Sequence, residues 1–79
     1  MTLTNAQLNR SYRILQIQGA EDSAVAIRFR QLGFISGVEL KCEALAPLLK
    51  YPMLVRIRGM QVALARTEAE LVEIEELPR

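Results

Sequence analysis

Apolar and polar positions alternate over much of this chain, and the alternation predicts a strand-rich domain. Val38, Leu40, Cys42 and Ala44 are separated by Glu39, Lys41 and Glu43, the period of two of a strand with one face in a core. Val72 and Ile74 alternate with Glu73 and Glu75 in a last strand. Tyr12 and Ile14 flank Arg13, whereas Leu15 and Ile17 fall on the opposite parity. A bulge, or a strand buried on both sides, explains that slip. Between Met53 and Arg66, Gly59-Met60 fits a two-residue type II′ turn. Such a turn pairs Arg58 with Gln61, Ile57 with Val62 and Val55 with Leu64, and it sets those four apolar side chains on one face.

The helical period appears once at length. Val25, Phe29 and Leu32 share a face at i, i+4, i+7, with Glu21, Asp22 and Ser23 as N-terminal cap and acids and Gly33 as the stop. Thr4-Asn5-Ala6-Gln7 and Thr67-Glu68-Ala69-Glu70 have capping-box spacing, so each predicts a single helical turn. Leu3 and Leu8 anchor the first, and Asn9 suits a left-handed helix end. About five strands, one three-turn helix and two short turns make a mainly β domain. A small, partly open barrel holds that inventory best, because curling the sheet hides its edges.

The alternation fails at Leu45–Pro52, where Pro47 and Pro52 bracket Leu48, Leu49, Lys50 and Tyr51. Two prolines exclude a central strand, and an apolar exposed loop marks an interaction site. Leu48 is expected to point inward and Tyr51 outward. Arg56 and Arg58 are expected to project together from the hairpin near Lys50, with Met60 at its turn. The candidate partner-binding set is therefore Leu48, Leu49, Lys50, Tyr51, Pro52, Arg56, Arg58 and Met60.

Composition narrows the function. Seventy-nine residues make one domain, and 51% apolar content supports a core. Ten basic against nine acidic residues lack the excess of a dedicated nucleic-acid binder. Five of the acids (Glu68, Glu70, Glu73, Glu75 and Glu76) crowd the last dozen residues, an acidic edge beside arginine-bearing neighbours. Cys42 is the only cysteine, so no internal disulfide forms, and a reducing cytosol is the expected setting. No apolar run approaches the ~20 residues of a membrane helix, and no signal peptide is visible. There is no histidine, no phosphate-binding loop and no base beside a nucleophile, so catalysis is not expected. Glu73 and Glu75 share a strand face without convergent ligands, so no metal site and no cofactor is expected.

The ordered segments Leu32-Gly33-Phe34-Ile35-Ser36-Gly37, Ala46-Pro47-Leu48, Arg58-Gly59-Met60-Gln61-Val62-Ala63-Leu64 and Glu68-Ala69-Glu70-Leu71-Val72 resemble the ferrous iron transport protein A (FeoA) family over about residues 3–76. The chain departs from that pattern at Ser36, often proline, at Asn9, often glycine, and at Leu49-Lys50-Tyr51, which replaces a shorter turn. The resemblance implies one SH3-like barrel spanning 1–79. It also implies a bacterial, cytosolic accessory at the inner face of the membrane, docked on the Fe(II) transporter FeoB and modulating its uptake activity. A nucleic-acid-binding barrel and a direct iron carrier are the alternative functions, and the apolar loop would also permit homo-oligomers. The same module closes iron-dependent repressors, and a repressor role is expected to need a separate DNA-binding chain.

Phe29 is the centre of the helix's apolar face. Phe29→Asp is expected to abolish the cooperative melt followed by circular dichroism. A variant melting near the wild-type temperature would mean that this face is unpacked.

Overall fold

The structure, a computed structural model, describes residues 1–78. A 3-10 turn at Leu3–Asn5 precedes β1 (Ser11–Ile17), α1 (Ala24–Leu32), β2 (Glu39–Leu45), β3 (Met53–Ile57), β4 (Met60–Leu64), α2 (Arg66–Ala69) and β5 (Val72–Glu76). The five strands form one antiparallel sheet in the order β4-β3-β2-β1-β5. The end strands β4 and β5 do not pair with each other, so the mainly β, partly open barrel expected from the alternation is what forms.

Every strand sends alternate side chains into one core. Tyr12, Ile14, Leu40, Cys42, Val55, Ile57, Leu64, Val72 and Ile74 are buried there. The parity slip in β1 is a register shift between Ile14 and Gln16, which turns Leu15 out to solvent. A second shift, between Cys42 and Ala44 in β2, leaves Glu43 opposite no single β3 residue. No buried side-chain nitrogen or oxygen among the described residues lacks a partner. The Tyr12 hydroxyl, for instance, accepts the Gln7 amide at 2.7 Å.

Helix α1 begins as expected, with the Ser23 hydroxyl accepting the Ala26 amide at 3.1 Å. Its end is a Schellman motif at Gly33, whose φ is +91°. The Gly33 amide bonds the Arg30 carbonyl at 3.1 Å, and the Phe34 amide bonds the Phe29 carbonyl at 2.9 Å. That turn lays Phe34 on Phe29, ring centroids 5.0 Å apart, and both rings are fully buried. The inward face is Ala26 and Phe29, with Leu32 half-buried; Val25 is 38% exposed, which corrects its expected place on that face. Ala26, three residues before Phe29, shares its helix face on the side opposite Val25, and it is this side that meets the core.

Three further local expectations are corrected. The hairpin turn is Arg58-Gly59, both at positive φ, the signature of type I′. Ile57 therefore faces Met60, Arg56 faces Gln61 and Val55 faces Val62. Each partner differs by two residues from the expected one, and a shift of two preserves parity, so Val55, Ile57, Val62 and Leu64 still face the core. The first helical turn starts at Thr2, with the Asn5 side chain reaching back to the Thr2 amide at 3.4 Å; Leu3 is buried and Leu8 exposed. α2 starts at Ala65, whose amide donates to Glu68 Oε1 at 2.9 Å, so Glu68 supplies half a box without Thr67.

Gly33 also makes room for the hairpin. A Cβ added there would lie 2.7 Å from Arg58 Cδ. Gly33→Ala is expected to cost about 1–2 kcal/mol of backbone strain, plus the clash. Adding Arg58→Ala should recover the steric part alone, read as urea midpoints. Full recovery would refute the left-handed requirement.

Candidate functional site

The loop between β2 and β3 holds the most exposed large apolar side chains of the described chain, Leu48 at 94% and Leu49 at 81%. The Lys50 amide bonds the Ala46 carbonyl at 3.0 Å, which closes the loop, and Lys50 takes a φ of +67°. The Tyr51–Pro52 peptide is cis, and Pro52 is exposed. Tyr51 is half-buried and packs on the core. This reverses the expected orientation: the tyrosine folds inward and Leu48 points to solvent. Tyr51 brings an aromatic ring against the core, and burying that ring removes a large surface from water. Burial pushes its phenol above the ordinary range, the charge of Glu70 adds to this, and Arg66 opposes it.

The expected partner-binding set does not stay together. Leu48, Leu49, Lys50, Tyr51 and Pro52 lie at the Met53 end of β3, whereas Arg58 and Met60 lie at its Ile57 end, roughly 13 Å away along the strand. Arg58 sits over the Gly33 turn, away from Lys50. Arg56, between the two ends, is engaged: its guanidinium lies 3.1 Å from Glu43, and Gln61 donates to the same carboxylate at 3.2 Å. These donors, Arg56 first, hold the Glu43 carboxyl below its usual range. Arg56 and Arg58 thus form no common cationic face.

The acidic C-terminal segment is paired as the sequence suggests. Glu76 meets Arg10 at 2.7 Å, Glu75 meets Arg13 at 3.5 Å, and Glu68 bonds Arg28. Glu73 accepts from Gln18 at 2.8 Å. These exposed pairs contribute little individually. Among the described residues, no group of three histidine, cysteine, aspartate or glutamate side chains comes together to hold a metal. The Cys42 thiol is fully buried, and burial raises its pKa.

One surface escapes the sequence reading. An apolar cleft opens between the end of β1, the start of α1 and the segment after Gly33, lined by Ile17, Ala26, Phe34, Ile35 and the Arg30 side chain. Its signal was Ile35, an isoleucine beside the Gly33 turn with no alternation to assign it inward.

Three kinds of similarity bear on this arrangement. The FeoA domain family model matches residues 1–76. The zinc-complexed FeoA of Stenotrophomonas maltophilia, described as an SH3 domain protein with a suggested role as a ferrous iron transport activating factor, is 33% identical over 95% of this chain and 89% of its own, with a TM-score of 0.84. The solution structure of Chlorobium tepidum FeoA is 28% identical over 99% of this chain and 71% of its own, with a TM-score of 0.87. The apo manganese-activated repressor ScaR shares the fold over 35% of its own length, at 16% identity and a TM-score of 0.80. No curated protein matches the chain.

Glu43 generates a pH prediction. Its folded carboxyl titrates below its unfolded value, so the stabilisation by Arg56 and Gln61 is present above the ordinary glutamate range and is lost as pH falls through the lowered value. Glu43→Gln should be slightly less stable than wild type near neutrality, and the urea midpoints should converge in acid. A constant gap across pH would refute the pairing. The buried Cys42 should react with a thiol-specific disulfide reagent only as fast as the domain opens, and immediate reaction in the native state would contradict its place in the core.

Proposed function

The chain belongs to the FeoA family, and from that premise we propose that it serves ferrous iron uptake as a small cytosolic accessory, docking on the cytosolic portion of a FeoB-type Fe(II) transporter and modulating its activity. The observation that carries this reading is the pair of leucines held in solvent on a loop rooted in the core by Tyr51. Unpaired apolar side chains on a braced loop are the ingredients of an interface hot spot. Burying both would release roughly 1.5–3 kcal/mol each before the costs of association. The rest of the described chain is consistent with a docking role: most of its acids are ion-paired and its thiol is buried.

The alternative of a nucleic-acid-binding barrel loses its main cation, because Arg56 is neutralised by Glu43 within the sheet. Lys50 remains beside the leucines as an exposed charge that would orient the domain toward an acidic rim on its partner.

Leu48→Asp and Leu49→Asp should each weaken binding to the transporter's cytosolic portion by roughly tenfold to a hundredfold, measured by calorimetry or biosensor, with the melting temperature unchanged. Arg58→Ala, at the far end of β3, should bind as wild type does. Absence of wild-type association, with or without guanine nucleotide, would refute the docking role, and unaltered binding by both leucine variants would refute the site.

A further inference from the structure

The two edges of the sheet are treated differently. At the β5 edge the N-terminus covers the strand: the Ile74 amide bonds the Met1 carbonyl at 2.8 Å, and Thr2 bridges to Glu73. That strand also carries Glu73, Glu75 and Glu76, charges of the kind that blunt an edge. The β4 edge has neither device. Its residues Met60, Gln61, Val62, Ala63 and Leu64 include no charge and no proline, and they pair with β3 on one side only.

The hairpin geometry decides which main-chain groups are free. A two-residue turn makes Ile57–Met60 the closing hydrogen-bonded pair, and bonded pairs then alternate along the ladder. Met60, Val62 and Leu64 therefore point their amide and carbonyl groups at β3, and Gln61 and Ala63 point theirs outward. Among the described residues, no main-chain bond outside the ladders uses any of those four outward groups. Gln61, Ala63 and Met60 are all exposed.

We propose that this edge is where two copies of the chain pair, β4 antiparallel to β4, about a two-fold axis at Val62. In that register Gln61 of one copy lies opposite Ala63 of the other, and all four outward groups of each copy form bonds across the axis. A two-fold contact sets each side chain near its own copy, so a charged edge would repel itself; this one is neutral and its outer face bears only a glutamine and a methyl group. Met60, 44% exposed, lies at the end of the shared ladder, where it covers main chain of the second copy's edge strand. The two sheets become one continuous sheet. The contact is short, which makes it a weak, concentration-dependent dimer. It leaves the Leu48–Leu49 loop, on a different strand connection, as an independent surface.

Sedimentation equilibrium over a wide concentration range, with amide exchange at Gln61 and Ala63, tests the pairing. The weight-average mass should climb from 8.9 kDa toward twice that value, and exchange at those two amides should slow as concentration rises. Ala63→Lys sets two ammonium groups diagonally across the axis, and the association constant should fall at least about tenfold with no change in melting. Ala63→Pro, which deletes an outward donor, should do the same. A chain that stays monomeric throughout would overturn the proposal. So would association that survives both variants, association abolished by Leu49→Asp, or protection of the two amides by a strand of another protein while this chain stays monomeric.

Discussion

A five-stranded sheet that does not close must cover its core with something other than strand, and this constraint organises the molecule. β4 and β5 end the sheet without meeting, so the apolar interior would be open along one side. Three non-strand pieces complete the core: Leu3 from the 3-10 turn, Phe29 and Phe34 from α1 and its exit, and Ala69 from α2, each exposed by no more than 1%. The helix is economical because Gly33 reverses the chain at once and delivers a second ring from the same turn. The left-handed geometry at that glycine couples the helix, the aromatic pair and the adjoining hairpin.

Most of the sheet was legible because strand parity survives errors in detail. The hairpin turn falls one residue earlier than Gly59-Met60 suggests, yet the pairing moves by two and every inward residue stays inward. The slip at Leu15 announced a bulge, and Gly33 and Ser23 announced the helix ends. Caps were less legible. A hydroxyl and an amide three apart occur at Thr2–Asn5 and at Thr4–Gln7, and burial of Leu3 selects the first. The loop was recognised as a surface feature from its apolar content, but which side chain turned inward depended on the space at the barrel's end. The cleft beside Ile35 had no periodic signature, because it is made where the end of β1, one face of α1 and the segment after Gly33 meet.

Much of the surface charge is held in local pairs. Arginines on β1, α1 and β3 meet glutamates on neighbouring elements, so much of the charge is neutralised locally. Exposed apolar residues include Leu48 and Leu49 on the β2–β3 loop, Ile35 at the α1 cleft and Met60 at the start of β4. With a formal net charge of +1, the chain has little long-range electrostatic field.

The two tyrosines sit in different surroundings. The chain has no tryptophan, so its near-ultraviolet light absorption comes almost wholly from Tyr12, sealed in the interior, and Tyr51, half-sealed at the root of the leucine loop. Anything that settles on that loop changes the surroundings of one chromophore and leaves the other untouched, whereas denaturation alters both. The domain therefore carries an intrinsic optical label that distinguishes occupancy from collapse.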